Sequence, residues 1–214
     1  MYYTTMKTKI SPTKQKIKKA AIELFNEQDT FSVTTNHIAS QAKISPGNLY
    51  YHYKNKEEII TQIYLEMSNV FENLNSFEQI LASKNPLNAL YNMFEKYGEL
   101  FLEYRFLLRD ISTLMAIYPS LKKEFLKKQS KRIEQIESVF KYLISLGILK
   151  NMEKQEITLR AKLNWFISSY WQLFTSTTGE ITKESIKESK YIVFEILLSP
   201  YLTPKGKDLY YKIQ

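Results

Sequence analysis

The sequence predicts an all-α fold, and three observations carry that prediction. The chain has 214 residues but only 5 Gly and 6 Pro, while Leu, Ile, Lys and Glu are plentiful. Apolar residues recur every three or four positions, the spacing of one helix face. No hairpin turn signal separates alternating apolar runs.

The elements follow in order. Residues 1–10 read as a loose arm carrying Lys7 and Lys9. Ser11-Pro12 opens a helix running to about Gln28, with Ile17, Ala20, Ala21, Leu24 and Phe25 on one face. Asp29 to Val33 is a connection, with Phe31 and Val33 expected to tuck into a small core. Thr34 caps a short helix reaching Ala42, and Lys43-Ile44 is a turn. Ser45 is a good N-cap, and Pro46 suits the first helical position, where its missing N–H costs nothing. Gly47 leaves that helix bare, so another backbone can approach it. Asn48 to Tyr53 then present aromatic residues and one His. Asn55 caps a long helix that begins at Lys56 and continues through Ile59, Ile60, Ile63, Tyr64, Met67, Val70, Phe71 and Leu74, with Glu58 close to a capping-box position. Such a helix is a natural lever between a head at residues 1–60 and a larger helical domain at 61–214.

In the larger domain, Lys84-Asn85-Pro86 is a break before a helix ending near Tyr104. A further helical segment reaches Tyr118 and stops at Pro119. Residues 119–146 form a lysine-rich amphipathic helix ended by Gly147, and 148–153 a loop. Helices over about 155–176 and 181–199 are separated by Thr177-Thr178-Gly179, and Pro200 stops the second. Residues 201–214 show no assignable element.

Composition excludes several function classes. With no Cys there is no disulfide, thiolate metal site or cysteine nucleophile. His37 and His52, the only histidines, lie too far apart in sequence to suggest a joint metal site. No GxSxG, P-loop, HExxH or GxGxxG motif occurs, so neither an enzyme nor a cofactor is expected. Apolar runs fall far short of the roughly 18 residues of a membrane span, and the polar N-terminus lacks a signal-peptide core. The cytoplasm is the expected compartment. Net charge is +8, and residues 1–60 hold nine Lys against five acids. A basic head suits a polyanion, although a solvated lysine face is the commoner meaning of such a surplus.

The two short helices and their turn make a helix-turn-helix. A helix with a glycine-bare start and polar aromatics suits a DNA major groove, with Tyr, His and Lys reaching phosphates beside it. The plainer alternative is an αα-corner with two tyrosines packed beneath it.

A family resemblance enters on these residues. Ala20-Ala21-x-x-Leu24-Phe25, Thr34-x-x-x-Ile38-Ala39, Ile44-Ser45-Pro46-Gly47-Asn48-Leu49-Tyr50-Tyr51-His52-Tyr53 and Lys56-Glu57-Glu58 stand in order and in register. Over about residues 13–65 the chain resembles the DNA-binding domain of TetR-type (TetR/AcrR) transcriptional regulators. The resemblance implies DNA contacts at Thr35, Ser45, Gly47, Tyr50, Tyr51, His52 and Lys56, with Pro46 and Asn48 on the same short helix. Two positions depart from the family's pattern, which usually has Gly where Asp29 stands and often Gly where Lys43 stands. Lys in a left-handed backbone costs roughly 1–2 kcal/mol, and Asp tolerates it better. No Arg precedes Arg105, so a bidentate Arg contact to guanine is missing from the head and an A·T-rich operator is expected, with Lys43 the remaining candidate for a guanine contact.

Beyond the head the resemblance is one of layout, implying helices, a pocket and a dimer surface. Tyr91, Phe94, Tyr97, Phe101 and Tyr104 form one aromatic stripe, and Trp165, Phe166, Tyr170, Trp171 and Phe174 a second cluster. Such stripes usually fill a core, yet tyrosine hydroxyls need partners when buried, and this supply suits an adaptable pocket. The expected lining is Tyr97, Phe101, Tyr104, Met115, Trp165 and Tyr170, with Arg105 and Arg109 as anchors for an acidic group, or simply as ion-pairing residues. Broad apolar bands over 155–199 suggest a four-helix dimer seam through Phe166, Ile186, Val193 and Leu197, unless they only close the monomer core.

The expected protein is a homodimeric, ligand-responsive regulator that binds double-stranded operator DNA and is released by a small apolar or aromatic effector. The alternative is an α-helical adaptor that binds protein and reads no DNA sequence.

Overall fold

A computed structural model describes residues 11–74 and 77–213; the arm with Lys7 and Lys9 lies outside the described residues. The helices are α1 (Pro12–Glu27), α2 (Thr35–Gln41), α3 (Pro46–His52), α4 (Lys56–Leu74), α5 (Phe77–Ala82), α6 (Pro86–Glu103), α7 (Arg105–Ile117), α8 (Pro119–Ser145), α9 (Lys154–Thr175), α10 (Lys183–Tyr191) and α11 (Pro204–Tyr211). After α10 the chain continues as a π-helix over Ile192–Leu198 and a 3₁₀ turn over Ser199–Tyr201. Among the described residues none forms a strand beyond one isolated bridge, Leu149 with Leu202. No helix among them is long and apolar enough to cross a membrane.

The chain divides into two compact units after Ile63, three residues beyond the expected boundary. The shift has a packing cause, since Ile59, Ile60 and Ile63 of α4 are fully buried and belong with the head.

In the first unit, local signals set the helix starts. Thr34 Oγ1 accepts from the His37 N–H at 3.2 Å, and His37 Nδ1 accepts from the Thr34 N–H at 3.3 Å. His37 thus completes a capping box. Ser45 Oγ accepts from the Asn48 N–H at 3.2 Å, and Asn55 Oδ1 from the Glu58 N–H at 2.9 Å. Glu58 reaches back to the Lys54 N–H at 2.7 Å, one residue short of the capping-box position. Lys43 has φ 55° and is the only non-Gly residue with positive φ among those described. Asp29 is not left-handed, contrary to the resemblance; its carboxylate accepts from the Phe31 and Ser32 N–H groups, each at 3.2 Å. Val33 is buried as expected, but Phe31 lies 38% exposed. Ile17, Ala21, Phe25, Ile38 and Leu49 complete the small core with the α4 isoleucines.

The second unit is built around α6, α8, α9 and the π-helical segment. Leu87, Phe140, Leu143, Ile148, Val193 and Phe194 form its main core. Gly147 ends α8 at φ 66°, where the Ile148 N–H returns to the Leu143 carbonyl at 2.9 Å. The short α5 was not anticipated. Nor was the end of the chain, which docks as α11. Thr203 Oγ1 donates to the Gly147 carbonyl at 2.7 Å, and Tyr210 is buried. At Gly206 an added Cβ would lie 2.2 Å from the Ile148 carbonyl oxygen, so only Gly fits there.

Candidate functional site

The first candidate site is the outer face of α3. Leu49 is fully buried and pins the helix, so its neighbours point outward. Pro46, Gly47 and Asn48 are exposed, and an added Cβ at Gly47 would meet nothing within 4 Å. The protein itself therefore gives Gly47 no reason to be bare. Tyr50 is 52% and Tyr51 84% exposed, unusual values for tyrosines on a helix of a packed unit. Tyr50 Oη lies 2.9 Å from Thr35 Oγ1, joining the starts of α2 and α3 into one polar surface. Tyr51 meets the half-buried His52 edge to face at 5.0 Å. Exposed Lys43 and Lys54 flank the helix; Lys54 was missed because only its place just past α3 marks it. This face offers hydroxyls, an imidazole and two ammonium groups to a polyanion.

Lys56 behaves differently from its expected role. Its Nζ donates to the carbonyls of Thr30 at 2.9 Å, Phe31 at 3.3 Å and Val33 at 2.9 Å. An ammonium has three donors, and all three are used within the head. Burial lowers its pKa, while Asp29 opposes that shift. Lys56 is a peg for the loop before α2, not an outward phosphate ligand.

The second candidate site is a cavity of about 140 Å³ inside the second unit. Engineered cavities of roughly 150 Å³ admit benzene. Phe71, Tyr97 and Phe101 make one wall as near-parallel rings, with Phe71 to Tyr97 at 4.2 Å and Tyr97 to Phe101 at 5.8 Å. Tyr64, Phe125 and Trp165 add further aromatic surface. Burial raises the Tyr97 pKa and outweighs the nearby Arg132 charge, so its hydroxyl stays protonated.

Charged residues gather in the same lining. Arg132 donates to Tyr97 Oη at 3.2 Å and to Gln135 Oε1 at 3.0 Å, and its guanidinium lies 4.3 Å from the Phe71 ring centre. Glu72 accepts from Lys128 at 2.9 Å and lies 3.5 Å from Lys131. Burial works to raise the Glu72 pKa, but the two lysines outweigh it and hold the carboxyl below its usual range.

Of the expected lining residues, Tyr97, Phe101 and Trp165 face the cavity. Tyr104, Arg105, Arg109, Met115 and Tyr170 are not in its wall. Tyr104 is buried at the junction of α6 and α7, and Arg105 donates to the Leu102 carbonyl at 3.0 Å. Arg109 forms a two-pronged pair with Asp110 at 2.9 and 2.8 Å, the plainer role already allowed for it. Tyr170 stacks on Phe166 at 5.7 Å. Arg132 was missed, yet a signal existed. It stands seven residues after Phe125 and seven before Val139, on the apolar line of an otherwise lysine-rich helix.

The expected dimer residues separate sharply. Ile186, Val193 and Leu197 are only 6%, 1% and 4% exposed in a single chain, so they close its own core. Phe166 is 58% exposed and lies in an outward stripe on α9 with Leu159 and Leu163. Tyr191 and Ile196 are also exposed. The bands are broad because both faces are apolar, and sequence period alone could not say which one turns inward.

Comparison with known proteins bears on both units. Residues 17–63 match a family model described as "Bacterial regulatory proteins, tetR family", and residues 67–210 one described as "Bacterial transcriptional repressor". The HTH-type transcriptional regulator UidR of Escherichia coli (strain K12) is 39% identical over 61 residues, covering 28% of this chain and 31% of UidR. The match thus spans about a third of that relative's length. The crystal structure of a TetR-family transcriptional regulator from Marinobacter aquaeolei VT8 superposes with a TM-score of 0.80 at 27% identity, covering 94% of this chain and 97% of that one. SmeT, the repressor of a Stenotrophomonas maltophilia multidrug efflux pump, has been solved in complex with triclosan. That complex matches with a TM-score of 0.67 over 91% of this chain and 93% of SmeT, a likeness of fold alone at 18% identity.

Proposed function

Because the chain belongs to the TetR family of transcriptional regulators, we propose that it is a homodimeric repressor released from its operator by a small apolar or aromatic molecule. One observation carries this reading. Helix α4 gives Ile59, Ile60 and Ile63 to the core of the head, and Tyr64, Met67 and Phe71 to the wall of the cavity. A ligand in the cavity touches the helix that anchors the reading head. If it prefers one pose of α4, it shifts the balance between DNA-competent and released states. The triclosan complex of SmeT supports this reading, since a protein of the same fold holds an aromatic compound.

In this reading α3 enters the major groove, where Tyr51, His52, Pro46 and Gly47 meet it, and Lys43 and Lys54 reach phosphates. Two subunits contact two half-sites, so the operator is a near-palindrome. The dimer seam runs along the exposed stripe of Leu159, Leu163 and Phe166, joined by Ile196. With no Arg in the head, readout favours A·T base pairs and groove shape.

The test is selection of bound duplexes from a random pool by the full chain. An A·T-rich near-palindrome is expected, with affinity falling at a log–log salt slope of about −0.9 per phosphate neutralised. Recovery of no consensus would leave the adaptor reading in place of a regulator.

A further inference from the structure

The polar groups of the cavity are unbalanced, and the imbalance names a ligand class. Arg132 is half-buried, and its hydrogen-bond partners, Tyr97 and Gln135, are both neutral. Among the described residues the one carboxylate in the lining, Glu72, is engaged by Lys128 and Lys131. Three cations therefore face one anion. Burial works against the Arg132 charge and outweighs the attraction of Glu72, a carboxylate already engaged by two lysines.

The neutral groups add to the excess of donors. Tyr97 Oη accepts from Arg132, which leaves its own O–H proton to donate. Trp165 Nε1 is buried in the cavity wall with no hydrogen-bond partner among the described residues. An indole N–H can only donate. These groups call for an acceptor, and the positive charge calls for an anionic one. Around them the Phe71, Tyr97 and Phe101 rings lie within 26°, 27° and 14° of parallel and give the cavity an aromatic wall.

We propose that the effector is a flat aromatic carboxylic acid whose carboxylate pairs with Arg132 and accepts a hydrogen bond from the Tyr97 hydroxyl, while its ring lies against the Phe71–Tyr97–Phe101 wall. This rests on the cavity being the effector site. It replaces the expected anchors Arg105 and Arg109, which lie outside the wall. A cationic aromatic compound is disfavoured by the same charges.

The experiment compares three probes of one shape on the full chain by calorimetry: 2-naphthoate, 2-naphthamide and 2-(aminomethyl)naphthalene. Naphthoate should bind roughly tenfold or more tighter than the amide, as expected for charge-assisted bonds, and the amine weakest. Arg132→Gln should erase the preference for acid over amide while leaving amide binding within about threefold. Tyr97→Phe, which keeps the ring wall, should weaken naphthoate selectively. In a Trp171→Phe background, quenching by naphthoate reports on Trp165 alone. Equal binding of acid and amide, tighter binding of the amine, or no binding of any probe would overturn the proposal. Duplex selection is scored separately with wild-type protein, so failure of the acid leaves the regulator reading standing, and failure of DNA binding does not bear on the acid.

Discussion

Substituting Lys56 by Met separates two roles that one position could hold. As a phosphate ligand, Lys56 would contribute to DNA affinity and little to stability. As built, its ammonium ties the carbonyls of Thr30, Phe31 and Val33 at 2.9, 3.3 and 2.9 Å. Two of these bonds have good length and the third is marginal. Hydrogen bonds to charged groups are worth about 1.5–3 kcal/mol each, toward the lower end where water competes. Lys56 is only partly buried, so the lower end applies, and two bonds at about 1.5 kcal/mol each give a loss of about 3 kcal/mol. Met keeps the stem's packing and removes only the donors. For a chain of this length, Tm should drop by roughly 5–10 °C. Thermal melts by circular dichroism give the shift, and fluorescence anisotropy below the transition gives duplex affinity. The expected result is a large melting shift with affinity per folded molecule nearly unchanged. A variant that melts like the parent but loses duplex affinity would refute the reasoning and return Lys56 to the phosphates.

Three further outcomes are expected. Tyr51→Ala and His52→Ala should change stability by little, about 0.5 kcal/mol for the exposed Tyr51, while each weakens duplex binding roughly tenfold; a melting shift without loss of affinity would make them packing residues. Phe166→Glu combined with Ile196→Glu should give folded monomers by sedimentation that no longer bind a palindrome, whereas Val193→Glu should unfold the chain; persistence of dimers in the double variant moves the seam elsewhere. Lys43→Gly relieves about 1–2 kcal/mol of left-handed strain at φ 55° but adds about 0.5–1 kcal/mol of backbone entropy, so denaturant melts should show a net gain between about 0 and 1.5 kcal/mol. Lower stability would mean the turn carries no strain.

What the sequence determined by itself is local. Ser45, Pro46, Asn85-Pro86, Pro119 and Gly147 mark helix ends because caps, fixed φ and left-handed turns act within a few residues. The place of α3 was legible for the same reason, but spacing left open whether its tyrosines pack beneath it, and the burial of Leu49 with Tyr50 and Tyr51 exposed decides that. The left-handed turn at Lys43 was also readable from the family pattern. Tertiary structure decided the rest, and always the same kind of question. Periodicity shows that Val193, Ile196 and Leu197 share an apolar band, but packing alone turns Val193 and Leu197 inward and leaves Ile196 64% exposed. The stem of Lys56 can swing toward phosphate or toward its own loop, and three carbonyls brought in from residues 30–33 settle it. Arg132 reads as one more cation on a basic helix until α4 and α6 place Phe71 and Tyr97 against it. Short-range geometry is written residue by residue, whereas the direction of a long side chain, and the face a helix buries, depend on neighbours distant in the chain.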